Sequence, residues 1–493
     1  MEKPSVAERG WMAVAPGRPT GVAIGAAVAD LEISRAWLVD PSSGREGPGE
    51  LVVSDGVLEA VSWLAGDEAA GIDDGGVIVA PGFIDLHAHL REPGNEDAET
   101  VASALAAAAH GGFTAVCAMP NTSPPADEPG VLSLVRAAAA ASGSPVALLP
   151  YGTVSAGRAG EVLAAIGELA DAGAVGFSDD GAPVRSGSLL RNALLYAGAI
   201  GLPIVDHPED LEQTSGAEAN EGLVATILGL RGWSGAGEVA AVARDLAIFA
   251  DVLTDSPGAR LHLTHLSTAA AVEQVRAAKR RGLPVTCDVT PHHVALTGEW
   301  LAGARRWAWQ ALDDSGRARD PWADGVLVAE PYDQSTRVNP PLRSADDAAA
   351  CLAALVDGTA DAVATDHAPH TVVDKAVEFG VAATGISGIE TALGLLLAAV
   401  DAGRLTLGRA IGALTTGPAS ILGARLGRSA GLTEGAPADL VVFDRSDGWR
   451  VSADGLVSRG KNSPLIGQTL SGRVLLTLAG GRLAYEDPAL ADS

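Results

Sequence analysis

Between residues 81 and 424 the chain repeats one pattern: a short apolar run, a polar cluster where the run stops, then an Ala- or Leu-rich stretch of helical length. Such stretches fall at 97–110, 160–172, 188–200, 268–281 and 387–402. Strands alternating with helices predict a parallel sheet, because parallel neighbours need long crossovers and helices supply them. A span of roughly 340 residues suits an α/β fold of the (β/α)8 TIM-like barrel type with insertions. A doubly wound open sheet is the competing architecture, and it calls for a Gly-rich phosphate loop after its first strand. Neither G-x-G-x-x-G in that context nor G-x-x-x-x-G-K-[ST] occurs.

The flanks have another texture. LEISRAWLV, ELVVSDG and VIVAPG alternate with Gly, Pro and Asp turns before residue 81, and ADLVVFD, GRVLLTLAGG and GRLAYE repeat that texture near the C-terminus. Two β-rich ends around a different middle predict one small β-sandwich built from both. The expected division is a loose N-terminal arm at 1–29, sandwich strands at 30–80, the barrel at 81–424 and the remaining sandwich strands at 425–493.

Acidic residues outnumber basic ones 61 to 34, a net charge of −27, which disfavours a nucleic-acid partner. The same charge repels small anions, so an anionic ligand needs a local positive feature, a metal or a placed Arg. Cys117, Cys287 and Cys351 lie far apart without a C-x-x-C pair, which argues against a disulfide framework or a zinc knuckle. No signal peptide and no membrane span are evident, and a cytoplasmic protein is expected.

Metal chemistry is suggested by where the histidines fall. His87 and His89 close VIVAPGFIDLHAH and, two apart on a strand, point to one side. Other runs stop at Asp179-Asp180, His207, His265 and Asp366-His367. In a barrel these ends meet at the face where active sites form, and four His with two Asp make an N/O site suited to Zn²⁺ or another divalent transition metal. A lone histidine at a strand end is more often a hydrogen-bonded core group; five strand ends of this kind are harder to explain that way. His110 reads as a cation at a helix C-terminus, His262 as structural, His292 and His293 as outer partners of the site, and Asp85 as a structural or outer carboxylate.

PGFIDLHAHLREPG at 81–94, AMPNT at 118–122, FSDDG at 177–181, HPED at 207–210, HLTHLST at 262–268, VNPPLR at 338–343 and ATDHAPH at 364–370, followed by GISGIETALG, resemble the amidohydrolase superfamily and, within it, the class I dihydroorotases. The resemblance runs in order from about residue 31 to 485. It implies a metal-dependent barrel with a small β-sandwich and a binuclear centre of one or two Zn²⁺ ions per chain. His87, His89 and Asp366 would hold one ion, His207 and His265 the other, and Asp180 would bridge them, with Asp179 the alternative. Many relatives bridge instead with a carbamylated lysine, but no lysine lies between Lys3 and Lys279.

The implied activity is the reversible cyclisation of N-carbamoyl-L-aspartate to L-dihydroorotate in pyrimidine biosynthesis by a metal-activated hydroxide, with Asp366 as proton shuttle. Arg91, Asn121 and His370, together with His89, would hold the substrate carboxylate. Asn339, Thr384 and Gly385 would meet the ring. A hydantoinase- or allantoinase-like cyclic amidohydrolase and a noncatalytic scaffold for aspartate transcarbamoylase are the alternatives. A homo-oligomer, possibly with aspartate transcarbamoylase, is expected. An apparent insertion after PHH carries Trp300, Trp307, Trp309 and Trp322; it reads as a lid, a partner patch or a self-packed excursion.

Overall fold

Alternating burial drives the terminal strands into a sheet. In Asp30–Asp40, Leu31, Ile33, Leu38 and Val39 are buried while Asp30, Glu32 and Arg35 face water. The computed structural model describes residues 12–13, 23–28 and 30–491. Asp30–Asp40, Arg45–Ser54 and Val57–Trp63 form an antiparallel meander. The turn between the last two is Asp55-Gly56, both at positive φ, as the twist of a tight hairpin requires. Val77–Pro81 lies parallel to the first strand, Leu440–Asp444 antiparallel to Val77–Pro81, and Arg473–Ala479 and Arg482–Glu486 follow through a Gly480-Gly481 turn, with Met12–Ala13 as the eighth strand of the sheet. Both chain ends thus share one hydrogen-bonded sheet. Most of the expected 1–29 arm lies outside the described residues. Its described pieces are paired: Met12–Ala13 against Glu32 and Ile33, and Ala27 against Arg482.

Among the described residues the named strands of the middle of the chain pair in parallel, and the antiparallel contacts there are single bridges such as Ser155–Leu163 and Ala304–Leu327. Phe83–Ala88, Phe113–Ala118 and Ala147–Pro150 form one sheet; Pro203–Asp206, Arg260–Leu263, Thr286–Val289 and Ala362–Val363 form another. Phe177 bridges both Gly152 and Ile204, and Ala88 bridges His367, so single parallel bridges join the two sheets on either side. Ile84, Leu86, Cys117, Tyr151, Val205 and Ala364 from both sheets meet in one buried cluster, floored by Ile421 and Leu422.

Helices intervene between successive strands, among them Val101–His110, Pro129–Ser142, Gly187–Ala199, Ala236–Asp255, Ala269–Arg280, Ala345–Asp357 and Ala392–Asp401. The helix expected from residue 97 starts at Val101, because Thr100 and Ser103 form a reciprocal cap there. The 160–172 stretch shrinks to Ile166–Asp171. Each fully buried Leu or Phe contributes about 2 kcal/mol, against about 0–1 kcal/mol for exposed pairs such as Arg191–Asp251, so apolar burial rather than surface charge holds the fold.

The Trp-rich segment packs on itself. Trp300 is fully buried beside Leu296, Val338 and Leu342, Trp307 stacks against Trp309, and the Arg305 guanidinium lies 5.0 Å from the Trp300 ring. Among the described residues no helix is long and apolar enough to cross a membrane.

Candidate metal centre

The polar residues that stop the parallel strands converge. His87 Nε2 lies 3.3 Å from Asp180 Oδ1 and 3.5 Å from Asp366 Oδ1, and His89 Nε2 lies 3.1 Å from Asp366 Oδ1 and 3.5 Å from Asp180 Oδ2. His207 Nδ1 is 3.3 Å from Asp180 Oδ1 and 2.9 Å from His265 Nε2. All six side chains are buried. Two sets of three, His87 with Asp180 and His265 and His87 with His89 and Asp366, bring one potential ligand atom per residue within 4.8 Å of one another.

The outer nitrogens fix which way the imidazoles present their lone pairs. Thr264 donates its hydroxyl to Asp288 at 3.2 Å, so it accepts from His87 Nδ1 at 2.9 Å. His89 Nδ1 faces the Asn121 carbonyl oxygen at 3.0 Å, and His207 Nε2 faces the Glu209 carboxylate at 3.0 Å. Each of these ring nitrogens is therefore the protonated one, which leaves the other with a lone pair aimed inward. Lone pairs at 3.1–3.5 Å from carboxylate oxygens repel unless a positive charge sits between them. His87 Nε2 and His265 Nδ1 are buried without a hydrogen-bond partner. Imidazole nitrogens and carboxylates in this arrangement fit a divalent transition ion.

Without an ion, protons take that place. Burial disfavours a charged His87, but Asp180 and Asp366 outweigh it and raise the imidazole to about 9. His207 is raised to about 10 in the same way by Asp180 and Glu209. Burial also favours protonated Asp366, yet His89 and His87 hold its carboxyl well below the ordinary range.

Two of the converging residues sit on unusual backbone. His265 and Asp366 have φ of 41° and 46°, and Arg91 has φ of 63°. Non-glycine residues in this region cost about 1–3 kcal/mol and persist where surroundings enforce them. At His265 the enforcing contact is visible: its N–H donates to Asp288 at 2.6 Å.

Other expected residues divide. Asp179 is turned away, its carboxylate accepting from Val154 N, Ser155 N and Ser155 Oγ, while Asp180 faces the histidines. Arg91 Nη2 approaches His370 Nε2 at 3.2 Å, and the same nitrogen lies 2.9 Å from Thr384 O. One ring nitrogen cannot serve both, so Arg91 keeps donor capacity for an anion. Burial and then Arg91 push His370 down to about 3, leaving it neutral. Asn121 spends its oxygen on His89 rather than standing free. Gly385 N donates to Arg337 O at 2.8 Å, and Gly385 O accepts from Asn462. The backbone expected to meet a ring there is thus already paired within the protein.

Asn339 donates to Glu209 at 3.2 Å, tying it to His207. His262 holds Asp288 at 2.7 Å, His293 bonds Thr290 and Pro340, Asp85 accepts from Thr365, and His110 ends its helix against Glu390. Glu209, Thr264, Asp288 and Asn462 escaped the sequence reading. Only Glu209 carried a local signal, two residues after His207 on the same side.

The family model described as dihydro-orotase-like matches residues 75–271. A relative from Anaeromyxobacter dehalogenans named dihydroorotase is 46% identical over 459 residues, covering 93% of this chain and 98% of that protein. One of the same name from Geobacter metallireducens is 41% identical over 461 residues, 93% of this chain and 100% of the relative. Among solved structures, an L-hydantoinase (dihydropyrimidinase) from Arthrobacter aurescens superposes with a TM-score of 0.74 at 25% identity over 92% of this chain and 96% of its own. Such identity across almost the whole of both chains settles the kinship: this chain belongs to the dihydroorotase family.

Proposed function

We propose that the chain is a zinc-dependent dihydroorotase that interconverts N-carbamoyl-L-aspartate and L-dihydroorotate. On this reading the ring of parallel pairings is the (β/α)8 barrel of 81–424, the terminal sheet is the β-sandwich of 30–80 and 425–493, and the site lies where the barrel strands end. The observation that carries the proposal is the convergence of inward imidazole lone pairs on two carboxylates. His87, His89 and Asp366 would hold one zinc ion, His207 and His265 a second, with Asp180 between them. When bound, the ions supply acidified water and a polarised substrate carbonyl.

The remaining work falls to this chain's own groups. Asp366, kept ionised by His89 and His87, accepts the proton of the attacking water and returns it to the departing ring nitrogen. In the reverse direction it takes a proton from the ureido nitrogen as the ring closes. Arg91 offers a planar guanidinium to the carboxylate outside the ring, and neutral His370 sits beside it. Asn121 contributes its amide nitrogen while its oxygen orients His89, and Asn339 meets the ring while bonded to Glu209.

The same proposal includes a reducing, cytoplasmic setting, suited by three free and buried cysteines, and assembly with itself or an aspartate transcarbamoylase. The test combines zinc per chain with turnover of L-dihydroorotate and of hydantoin, in wild type and Arg91→Met. Zinc-dependent turnover of dihydroorotate, with KM raised about 10- to 100-fold by the substitution, is expected. Preference for hydantoin, or no turnover in any zinc-loaded preparation, refutes the reading.

A further inference from the structure

Lys375, one of only four lysines in the chain, ends the short helix Val372–Lys375 and is 7% exposed. Its terminal amine, which burial pushes down to about 7, donates to the carbonyl oxygens of Ala383 at 2.7 Å and Arg337 at 3.2 Å. Its hydrogen-bond acceptors are carbonyls rather than carboxylates. A buried amine held this way costs desolvation that a methionine of similar length would not, and its two directed hydrogen bonds are what it provides in return.

What it does is legible in what it joins. Arg337 stands two residues before Asn339, and Ala383 directly precedes Thr384 and Gly385. Arg337 O also accepts from Gly385 N at 2.8 Å, so one carbonyl receives donors from two segments. Ala383 N in turn donates to Asp374 O at 3.0 Å, locking the lysine's helix to the segment it grips. The side chain also lines a cavity of about 210 Å³ shared with His370, Asn462 and Gln334. Bonds from one amine to two separate segments constrain their spacing as apolar contacts do not, because carbonyl acceptors have a preferred direction and distance.

We infer that Lys375 is a positioning residue for ring recognition: its terminal amine holds the segment that carries Asn339, the side chain that meets the ring on this reading, against the Ala383–Gly385 segment whose backbone bonds Arg337 O. The inference rests on the dihydroorotase reading, and wild-type turnover of L-dihydroorotate tests that reading separately.

The test uses the zinc-loaded full chain as wild type, Lys375→Met and Lys375→Ala. Lys375→Met keeps the stem and removes the donor. It is expected to raise KM for L-dihydroorotate about ten-fold while kcat changes by less than about three-fold, the pattern of weakened ground-state recognition. Zinc per chain and melting temperature should stay near wild type. In Lys375→Ala, n-propylammonium entering through the adjoining cavity should restore part of the KM, and n-propanol should not. Inactive wild type would sink the dihydroorotase reading. Active wild type overturns the inference alone if KM is unchanged in Lys375→Met. Parallel loss of kcat and melting temperature without rescue by the amine, or failure of both variants to fold, would equally overturn it.

Discussion

The proton-accepting role proposed for Asp366 requires a carboxylate that stays ionised in a dry site, and Asp366 does so because His89 and His87 outweigh its burial. Asp366→Asn keeps the shape and one ligating oxygen but removes the base. Turnover of zinc-saturated protein should fall on the order of 10³-fold. Zinc affinity should fall only about 10- to 100-fold, as for loss of one supporting ligand. Near-normal turnover would remove Asp366 from the proton path. The same pocket fixes a pH dependence. In the metal-free protein His87 and His207 stay protonated up to about 9 and 10, above the ordinary imidazole value of about 6.5. The proposed zinc site needs both deprotonated, so an ion held there competes with protons below those values and less so above them. Zinc titrations from pH 6.5 to 8.5 should show affinity rising with pH and protons released into the buffer on binding. A flat profile would place the ion away from these two histidines.

At the scale of elements, strand ends were readable and their supports were not. A strand that stops on His or Asp announces itself within a few residues, and His87, His207, His265 and Asp366 all emerged that way. Asp288 orients His265 through its backbone and His87 through Thr264, yet in sequence it is one more acid in a buried run. Asn462 reaches His370 N and Gly385 O from a loop near the C-terminus, a juxtaposition of 92 and 77 residues that no local periodicity encodes. Helix starts were misplaced where capping diverted residues, as at Thr100. The Trp-rich segment was open to three readings, and burial decides among them. Trp300 is fully enclosed, donates its indole N–H to Arg306 O at 2.8 Å, and abuts Val338 and Leu342 on either side of Asn339. Trp300→Ala should cost about 3–5 kcal/mol in chemical denaturation. Because Trp300 shares a buried cluster with Val338 and Leu342, which flank Asn339 in sequence, KM for dihydroorotate should also rise while zinc content holds. A variant as stable as wild type would show that the segment contributes little to the core.

Across the whole molecule, a net charge of −27 sets a condition that no single residue removes. The proposed substrates are anions, one carboxylate on L-dihydroorotate and two on N-carbamoyl-L-aspartate, and both must cross the protein's outer field to reach Arg91. Two ranges of electrostatics then oppose each other. Arg91 and the metal centre attract over a few ångströms inside a buried site, where salt screens weakly, whereas the surface acids repel over distances comparable to the Debye length of about 10 Å at 0.1 M salt. Raising ionic strength therefore weakens the repulsion more than the attraction. The gain should grow with ligand charge, because each extra carboxylate meets the same field. Raising KCl from about 20 to about 200 mM should lift kcat/KM for N-carbamoyl-L-aspartate by about two- to five-fold and that for L-dihydroorotate by less. The comparison between two substrates of one enzyme cancels general effects of salt on folding and metal loading. If kcat/KM falls with salt for both, steeper for the dianion, then the field at the mouth is positive despite the acidic exterior, and the local cations reach further than their burial suggests.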